Sequence, residues 1–229
     1  YVTHILPVGV LNKNILNVIA RGCVLNIKDL NEELKEFSDV TNETLQISGY
    51  CPLIEPTHIL LDRMKYQSKL GTTARGIGPA YSSFYARDSI LFKDIIENPK
   101  ESLMKMQESF FKLQLHIGAI EQPDDTKNLI NDNFDFFNEW IENYSEIVSN
   151  ISQFIMKDES LIIDSYNEGK NILLEGAQGC GLNIHSSNYP DVTSSAPTIG
   201  GALNSTGLNH KQIDEVIGVI KAYKTKVGT

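Results

Sequence analysis

Apolar side chains recur every three or four residues along two long stretches of the chain, which is the spacing of one face of an α-helix. The first stretch comprises Leu103, Met106, Phe110, Leu113 and Ile117, and the second comprises Phe134, Phe137, Ile141, Tyr144, Val148, Ile151 and Ile155. Each stretch predicts a helix packed on a core, and the second is also compatible with a coiled-coil seam. Residues 122–127 contain the turn signal Pro123-Asp124-Asp125 and predict a linker between the two helices.

Shorter apolar runs, separated by glycine, proline and polar residues, predict alternating strands and helices. Strands are predicted at 1–6, 23–27, 45–47 and 171–175, and helices at 14–19, 30–37 and 58–68. Asp29 is predicted to cap the helix at 30–37, with Glu32 completing a capping box, and Gly169 is predicted to end a helix. Residues 213–220 are apolar enough for either a helix or a strand.

Strands that alternate with helices favour an α/β fold. We therefore expect a mainly parallel central sheet flanked by helices, with an additional helical segment at about 100–168. The chain has 229 residues, 41% of them apolar, and no apolar run approaches the roughly 18 residues of a membrane span. Three cysteines without metal-ligand spacing suit a reducing cytosol, so we expect a cytoplasmic protein.

The charge of the chain is concentrated in one segment. Residues 121–170 hold 12 acidic and 3 basic residues, and the net charge of the whole chain is −9. Such a segment argues against binding to nucleic acid or to an anionic membrane, because both need basic surfaces. It predicts either a solvated helical face or a docking site for a basic partner.

A glycine-rich loop at 71–81 is the first candidate for chemistry. Three glycines in eight residues let the backbone approach a ligand, while Thr72 and Thr73 supply hydroxyls and Arg75 supplies a guanidinium. These groups suit a phosphate monoester, although the spacing matches neither a P-loop nor a dinucleotide fingerprint. From spacing alone, an anion site and a purely structural loop both stay open.

The second candidate directly follows the predicted strand at 171–175. Ligands of open α/β sheets bind at the carboxyl ends of strands, where Gln178 would be placed to donate and accept hydrogen bonds. Residues 189–195 add a hydroxyl cluster that contains Thr193. Gln178 is predicted either to contact a polar ligand or to cap a turn.

The segments 71–81, 175–179 and 189–195, in this order and with these separations, resemble three signature segments of the adenylosuccinate synthetase family. Residues 4–11 and 25–37 resemble a strand and a helix near the end of that family's first third. Residues 221–228 resemble its later K-A-Y-x-T-x-V-G run. The resemblance covers nearly the whole chain, and 122–165 is its least recognisable part.

The resemblance implies a ligase that joins IMP and L-aspartate with GTP and Mg²⁺, in the AMP branch of purine nucleotide synthesis. It implies that Thr73 and Thr193 bind the IMP phosphate, that Gln178 contacts the nucleotide and supports the transition state, and that Val227 contacts the ribose. It further implies that Arg87 reaches the IMP of a partner subunit, which predicts a homodimer with shared active sites. Thr72 and Arg75 are additional candidates for IMP contacts.

Some family features are missing from this sequence. The N-terminal glycine-rich loop with the catalytic Asp, the following segment with the general-acid His, and the C-terminal guanine- and aspartate-binding region are absent. Tyr1 stands at the start, so we expect an internal fragment: residues 1–229 as the central portion of one synthetase domain, with 100–168 as its helical subdomain. Ala74 stands where glycine is common in the family, and Lys226 where arginine is usual.

No metal ligands are expected in this chain, because most groups that bind GTP and Mg²⁺ would lie outside it. Two alternatives to the ligase stay open at this point. One is a non-catalytic interaction module that uses the acidic helical face at 121–170. The other is a different phosphate-dependent enzyme built on a similar sheet.

Overall fold

A computed structural model describes residues 3–67, 72–119 and 125–223 of the chain. The elements are β1 (Asn17–Ile19), α1 (Ile27–Glu36), β2 (Leu45–Ile47), α2 (Pro56–Leu61) with a π-helical continuation (Asp62–Gln67), α3 (Ile77–Ala86), α4 (Phe92–Glu97), α5 (Pro99–Ala119), α6 (Asp125–Ile141), α7 (Tyr144–Ile151), α8 (Leu161–Asn167) and α9 (Ile199–Thr206). Short 3₁₀ turns lie at Val8–Leu11, Ser152–Phe154, Cys180–Leu182 and His210–Gln212. None of the described helices is long and apolar enough to cross a membrane.

The sheet is small and parallel. β1 and β2 pair with Asn17 opposite Leu45 and Ile19 opposite Ile47, and a further parallel bridge joins Ile47 to Ile155. β2 therefore lies between two neighbours, and its residues Leu45 and Ile47 are completely buried. The predicted α/β class is confirmed, in a helix-rich form with a small parallel sheet.

Two predictions near the start of the chain are wrong. The helix predicted at 14–19 is strand β1 from Asn17 onward, because it alternates buried and half-buried residues against β2 rather than following a helical period. Within the strand predicted at 1–6, the described residues form no strand. The backbone N–H groups of His4, Ile5 and Leu6 donate to the Glu33 carboxylate on α1 instead of to a neighbouring strand.

The helix predicted at 30–37 begins earlier and has a different cap. It starts at Ile27, and the Asn26 side chain accepts hydrogen bonds from the backbone N–H groups of Lys28 at 3.0 Å and Asp29 at 3.3 Å. The predicted cap at Asp29 is therefore wrong, since that residue lies inside the first turn. Of the strand predicted at 23–27, Leu25 forms one parallel bridge with Leu53.

The two long amphipathic stretches are helical and face the core, as predicted, except that Ile155 at the end of the second stretch lies beyond the helices and pairs with Ile47. On α5, Met106, Phe110, Leu113 and Ile117 are buried. The Phe110 ring stacks on Phe137 of α6 with a centroid distance of 4.1 Å. The second stretch is broken between α6 and α7, so its apolar side chains pack on the core rather than along one coiled-coil seam.

The linker predicted at 122–127 is only partly described. Helix α6 begins at Asp125, so 125–127 are helical rather than linker, while 122–124 lie outside the described residues. Acidic side chains farther along α6, including Asp132, Asp135 and Glu139, are exposed, as expected of a solvated face. The helix predicted at 58–68 begins at Pro56 and turns π-helical at Asp62, and Ser68 lies outside the described residues.

The strand predicted at 171–175 is not formed among the described residues. Gly169 does end α8, with a left-handed φ of 75°, as predicted. The following residues have no strand partner, and Leu173 is 87% exposed. Residues 213–220 likewise form neither helix nor strand, and Val219 and Ile220 are both 92% exposed. A buried parallel strand needs neighbours on both edges, and the described part of the chain supplies none here.

A buried polar cluster joins α2 to α3. The backbone N–H of Glu55 donates to Nδ1 of His58 at 3.1 Å, so Nε2 carries the proton and lies 3.0 Å from the Ser83 hydroxyl. Burial lowers the pKa of His58 to about 4, against a smaller opposing effect of a backbone hydrogen bond. Burial also raises the pKa of the Glu55 carboxyl to about 7; a backbone N–H at Ile90 opposes the shift and Asp88 adds to it.

The first prediction concerns the cap of α1. Replacing Asn26 by Ala removes the acceptor for two N–H groups and should lower the free energy of unfolding of the protein by about 1 kcal/mol. Asn26→Ser keeps an acceptor and should restore most of that loss. Urea unfolding measures both, and equal stability of Asn26→Ala and the unsubstituted protein would contradict the assigned cap.

The second prediction concerns pH. The pKa of the Glu55 carboxyl rises from its ordinary value of 4.5 to about 7 on folding. Relative to its value below pH 4.5, the contribution of this carboxyl to the free energy of unfolding therefore falls as the pH rises through 7. Glu55→Gln has no such group, while His58 titrates in both proteins. The stability of the variant relative to the unsubstituted protein should therefore increase by about 3 kcal/mol between pH 4 and pH 8. Urea unfolding at several pH values tests this, and a pH-independent difference would disprove it.

Candidate functional site

The glycine-rich loop is anchored by the carboxylate of Asp62, the first residue of the π-helical turn that continues α2. Asp62, which is 3% exposed, accepts a hydrogen bond from the Thr72 hydroxyl at 2.7 Å. Its second oxygen accepts the backbone N–H of Gly76 at 2.8 Å. The Thr72 hydroxyl oxygen also accepts the backbone N–H of Ala74 at 3.3 Å. Both ends of the described loop are thus held by Asp62.

Gly76 is the residue on which the loop turns into α3. It has a φ of +78°, and a Cβ there would lie 2.9 Å from the backbone nitrogen of Ile59 in α2. Both the left-handed backbone and the close approach require glycine. The loop is therefore packed directly on the backbone of α2.

The polar residues between these anchors face outward. Thr73 and Arg75 are exposed, which leaves the Thr73 hydroxyl accessible. Arg75 lies near α1: burial raises the pKa of the Asp29 carboxyl, and the positive charge of Arg75 opposes that shift. Ala74 has a left-handed φ of 55°.

The second cluster joins Gln178 to the hydroxyls at 193–195. The Ser195 hydroxyl donates to Oε1 of Gln178 at 2.7 Å, and the Ser195 and Thr193 hydroxyl oxygens lie 3.1 Å apart. The Thr193 backbone N–H donates to the carbonyl of Leu182 at 2.8 Å, which holds this segment against the 3₁₀ turn. Gln178 itself is exposed and has a left-handed φ of 58°.

One contact brings the two clusters to the same part of the molecule. A Cβ on Gly78, in the first turn of α3, would lie 3.4 Å from the hydroxyl oxygen of Ser194. The segment 193–195 therefore packs beside the start of α3, immediately after the loop that carries Thr73. Ser194 consequently lies beside a residue that is only five positions after Thr73 in the sequence.

Arg87 occupies the other end of α3. It ends that helix with a left-handed φ of 67°, its side chain is exposed, and neighbouring Tyr85 is 76% exposed. Val227, the last of the predicted site residues, lies outside the described residues.

Backbone strain is concentrated in these segments. Among the described residues, left-handed φ values at residues other than glycine occur at Ala74, Arg87 and Gln178. An L-residue with a Cβ pays of order 1 kcal/mol for such a conformation, and strain of this kind clusters at functional sites. Each of the three lies in or beside a segment that the sequence singled out for chemistry.

The described residues contain no group of three or more His, Cys, Asp or Glu side chains that could hold a metal ion. Apart from the buried Asp62, the polar groups of these segments are hydroxyls, the Gln178 amide and the Arg75 guanidinium, which suit an anion better than a cation. No chemical step through Mg²⁺ can be assigned to these side chains.

Sequence reasoning missed two members of this arrangement. Asp62 follows an apolar helical turn and looks like an ordinary surface acid, since only the folded chain shows that it is buried under the loop. Ser195 belongs to the recognised hydroxyl cluster, but its hydrogen bond to Gln178 across 17 residues has no signature in the spacing.

The chain is similar in sequence to proteins of a known family. The sequence model of the adenylosuccinate synthetase family matches residues 1–229. Adenylosuccinate synthetases from Helicobacter pylori (strain HPAG1) and Helicobacter acinonychis (strain Sheeba) are 40% and 38% identical over 226 residues. The same enzyme from Streptococcus sanguinis (strain SK36) is 35% identical over 234 residues. These alignments cover 98–100% of this chain and 52% of each relative, so the chain spans about half the length of those relatives.

The chain is also similar in fold to a solved structure of this family. The structure of fully ligated adenylosuccinate synthetase from Plasmodium falciparum superposes with a TM-score of 0.75 at 29% sequence identity. The superposition covers 100% of this chain and 52% of that one. Because the family model matches every residue and the fold agrees over the full chain, this chain belongs to the adenylosuccinate synthetase family.

Proposed function

We propose that the full-length native polypeptide is a GTP-dependent ligase that joins IMP and L-aspartate to give adenylosuccinate, and that this chain carries most of its IMP-binding part. Family membership supports the reaction. The observation that carries the assignment of the site is the hydrogen-bonded group Gln178–Ser195–Thr193, whose neighbour Ser194 lies beside the first turn of α3, the helix that follows the loop of Thr73.

The chemistry of these side chains suits a nucleoside monophosphate. An exposed hydroxyl such as that of Thr73 can donate to a phosphate oxygen. The Ser195 hydroxyl donates to Gln178, so the Thr193 hydroxyl donates to the Ser195 oxygen, and it would become a second phosphate donor by rotating from Ser195 to the ligand. Hydrogen bonds to an ionic group are stronger than those to a neutral group. Two hydroxyls from separate segments would therefore fix the position of the phosphate and, through it, of the purine.

Gln178 is suited to the reacting end of the nucleotide. Its Oε1 accepts the Ser195 hydroxyl, which leaves the Nε2 group to donate. In the proposed reaction, GTP phosphorylates the 6-oxygen of IMP and the aspartate amine then displaces that phosphate. A donor held at the 6-oxygen would stabilise the negative charge that develops there before phosphoryl transfer.

Arg87 is proposed to reach the IMP of a partner subunit in a homodimer. Its exposure at the end of α3, beside exposed Tyr85, supports a role outside its own subunit. A guanidinium would form a bidentate contact with the phosphate that a lysine could not replace. Thr72 and Arg75 remain additional candidates for contacts to IMP, although the Thr72 hydroxyl is engaged with Asp62.

GTP and Mg²⁺ are proposed to bind mainly through parts of the family's length that this chain does not span. We further propose that residues 1–229 form the central portion of one synthetase domain, with 100–168 as a helical subdomain that α5 to α8 occupy. The reaction is proposed to take place in the cytoplasm.

The third prediction tests the phosphate contact. In the full-length native polypeptide, Thr73→Ala should raise the dissociation constant of IMP about 10- to 100-fold, since it removes a hydrogen bond to a charged group. Thr73→Ser keeps the hydroxyl and is the matched control, with affinity close to that of the unsubstituted protein. Isothermal titration with IMP measures all three. Unchanged affinity in Thr73→Ala, or no binding of IMP at all, would reject the assignment.

The fourth prediction tests the shared site. Arg87→Ala and Gln178→Ala should each abolish most activity as homodimers. Mixed dimers place one intact Arg87 opposite one intact Gln178, so mixing the two variants should restore up to about a quarter of the specific activity. Steady-state assays after subunit exchange measure this. No recovery, in mixtures shown by native mass spectrometry to contain heterodimers, would argue that each subunit holds a complete site.

A further inference from the structure

We propose that Asp62 is a positioning residue for the nucleotide phosphate, and that it acts through Thr72 and Gly76 to set the Thr73 hydroxyl. This inference rests on the proposed function, because it concerns the same IMP site. Its basis is the pair of hydrogen bonds from the loop to the two carboxylate oxygens of Asp62, at 2.7 Å and 2.8 Å.

The two oxygens of Asp62 hold opposite sides of Thr73. Oδ1 accepts from the Thr72 hydroxyl, one residue before Thr73, and Oδ2 accepts from the Gly76 backbone, three residues after it. Gly76 is also packed against the backbone of α2, so the loop has little freedom to move relative to that helix. With Thr72 and Gly76 both held, the backbone conformations open to Thr73 are restricted.

The Thr72 hydroxyl already makes both of its hydrogen bonds within the protein, one as donor and one as acceptor. Its hydrogen is donated to Asp62, and its oxygen accepts the Ala74 backbone N–H at 3.3 Å. A hydroxyl has only one hydrogen to donate, so this one cannot also donate to a phosphate. Of the two adjacent threonines, Thr73 is therefore the phosphate donor, and Thr72 links Asp62 to the centre of the loop.

A direct role for Asp62 in phosphate binding conflicts with its charge. A carboxylate repels a phosphate. Asp62 is also only 3% exposed, and both of its oxygens already accept hydrogen bonds from the loop. The left-handed backbone of Ala74 gives a reason for the two hydrogen bonds to Asp62, which we call the Asp62 clamp: a strained loop keeps its shape only where the surrounding contacts determine it. Asp62 supplies such contacts from beneath.

The test is a double-mutant cycle on the full-length native polypeptide, read by isothermal titration with IMP. Thr72→Val keeps the shape of the side chain but cannot donate to Asp62, and it should weaken IMP binding roughly 5- to 20-fold. Thr72→Ser keeps the hydroxyl and should bind IMP like the unsubstituted protein. Because Thr72 acts through Thr73, Thr72→Val combined with Thr73→Ala should bind no more weakly than Thr73→Ala alone.

Asp62→Asn provides a second variant, because an amide has one oxygen and can accept only one of the two hydrogen bonds that the loop donates to the carboxylate. It should weaken IMP binding at least as much as Thr72→Val, and adding Thr72→Val should cause little further loss. Should Asp62→Asn fail to fold, the Thr72 and Thr73 variants decide the matter by themselves.

Three results overturn the inference in distinguishable ways. Full affinity in Thr72→Val would show that the clamp does not matter for binding. Losses from Thr72→Val and Thr73→Ala that multiply would show that Thr72 contacts IMP independently. Absence of IMP binding in the unsubstituted protein, or full affinity in Thr73→Ala, would reject the proposed function itself and the positioning role with it.

Discussion

The carboxylate of Asp62 is the point on which the arrangement of the site depends. It lies where α2 passes into a π-helical turn, and it accepts one hydrogen bond from each side of Thr73. Burying a carboxylate is unfavourable unless its oxygens are satisfied. The two hydrogen bonds from the glycine-rich loop satisfy the Asp62 oxygens, which couples the C-terminal end of α2 to the shape of the loop.

Helix α3 connects the loop held by Asp62 to the other candidate residues. It begins where the loop ends, lies beside Ser194 at its first turn, and ends at Arg87 with a left-handed residue. Its middle is held to α2 by the buried His58–Ser83 hydrogen bond and by Ala80 packed against Ile59. Helix α3 thus follows the loop of Thr73, lies beside the segment of Thr193 and ends at Arg87, which is proposed to serve a neighbouring subunit. Helices α6 and α7 bury apolar side chains such as Trp140 and Ile147 in the core and present the carboxylates of Asp132, Asp135 and Glu146 to solvent.

Sequence periodicity was most informative where burial follows a helical period, and least where pairing partners decide the structure. The buried faces of α5 and α6 were predictable because Met106 and Phe110 recur at helical spacing and pack as that spacing requires. Residues 14–19 and 171–175 have similar local composition, yet only 17–19 finds a neighbouring strand. Glycine and hydroxyl content identified both candidate segments, but the burial of Asp62 and the bond from Ser195 to Gln178 depend on contacts between distant residues.

The most direct test of one shared phosphate site is a crystal structure of the full-length native polypeptide with IMP. The account predicts phosphate oxygens within hydrogen-bond distance, about 2.5–3.0 Å, of both the Thr73 and the Thr193 hydroxyl oxygens. It also predicts the Gln178 amide beside the purine, with Thr72 still donating to Asp62. A nucleotide bound elsewhere, or a phosphate that contacts only one of the two segments, would contradict it.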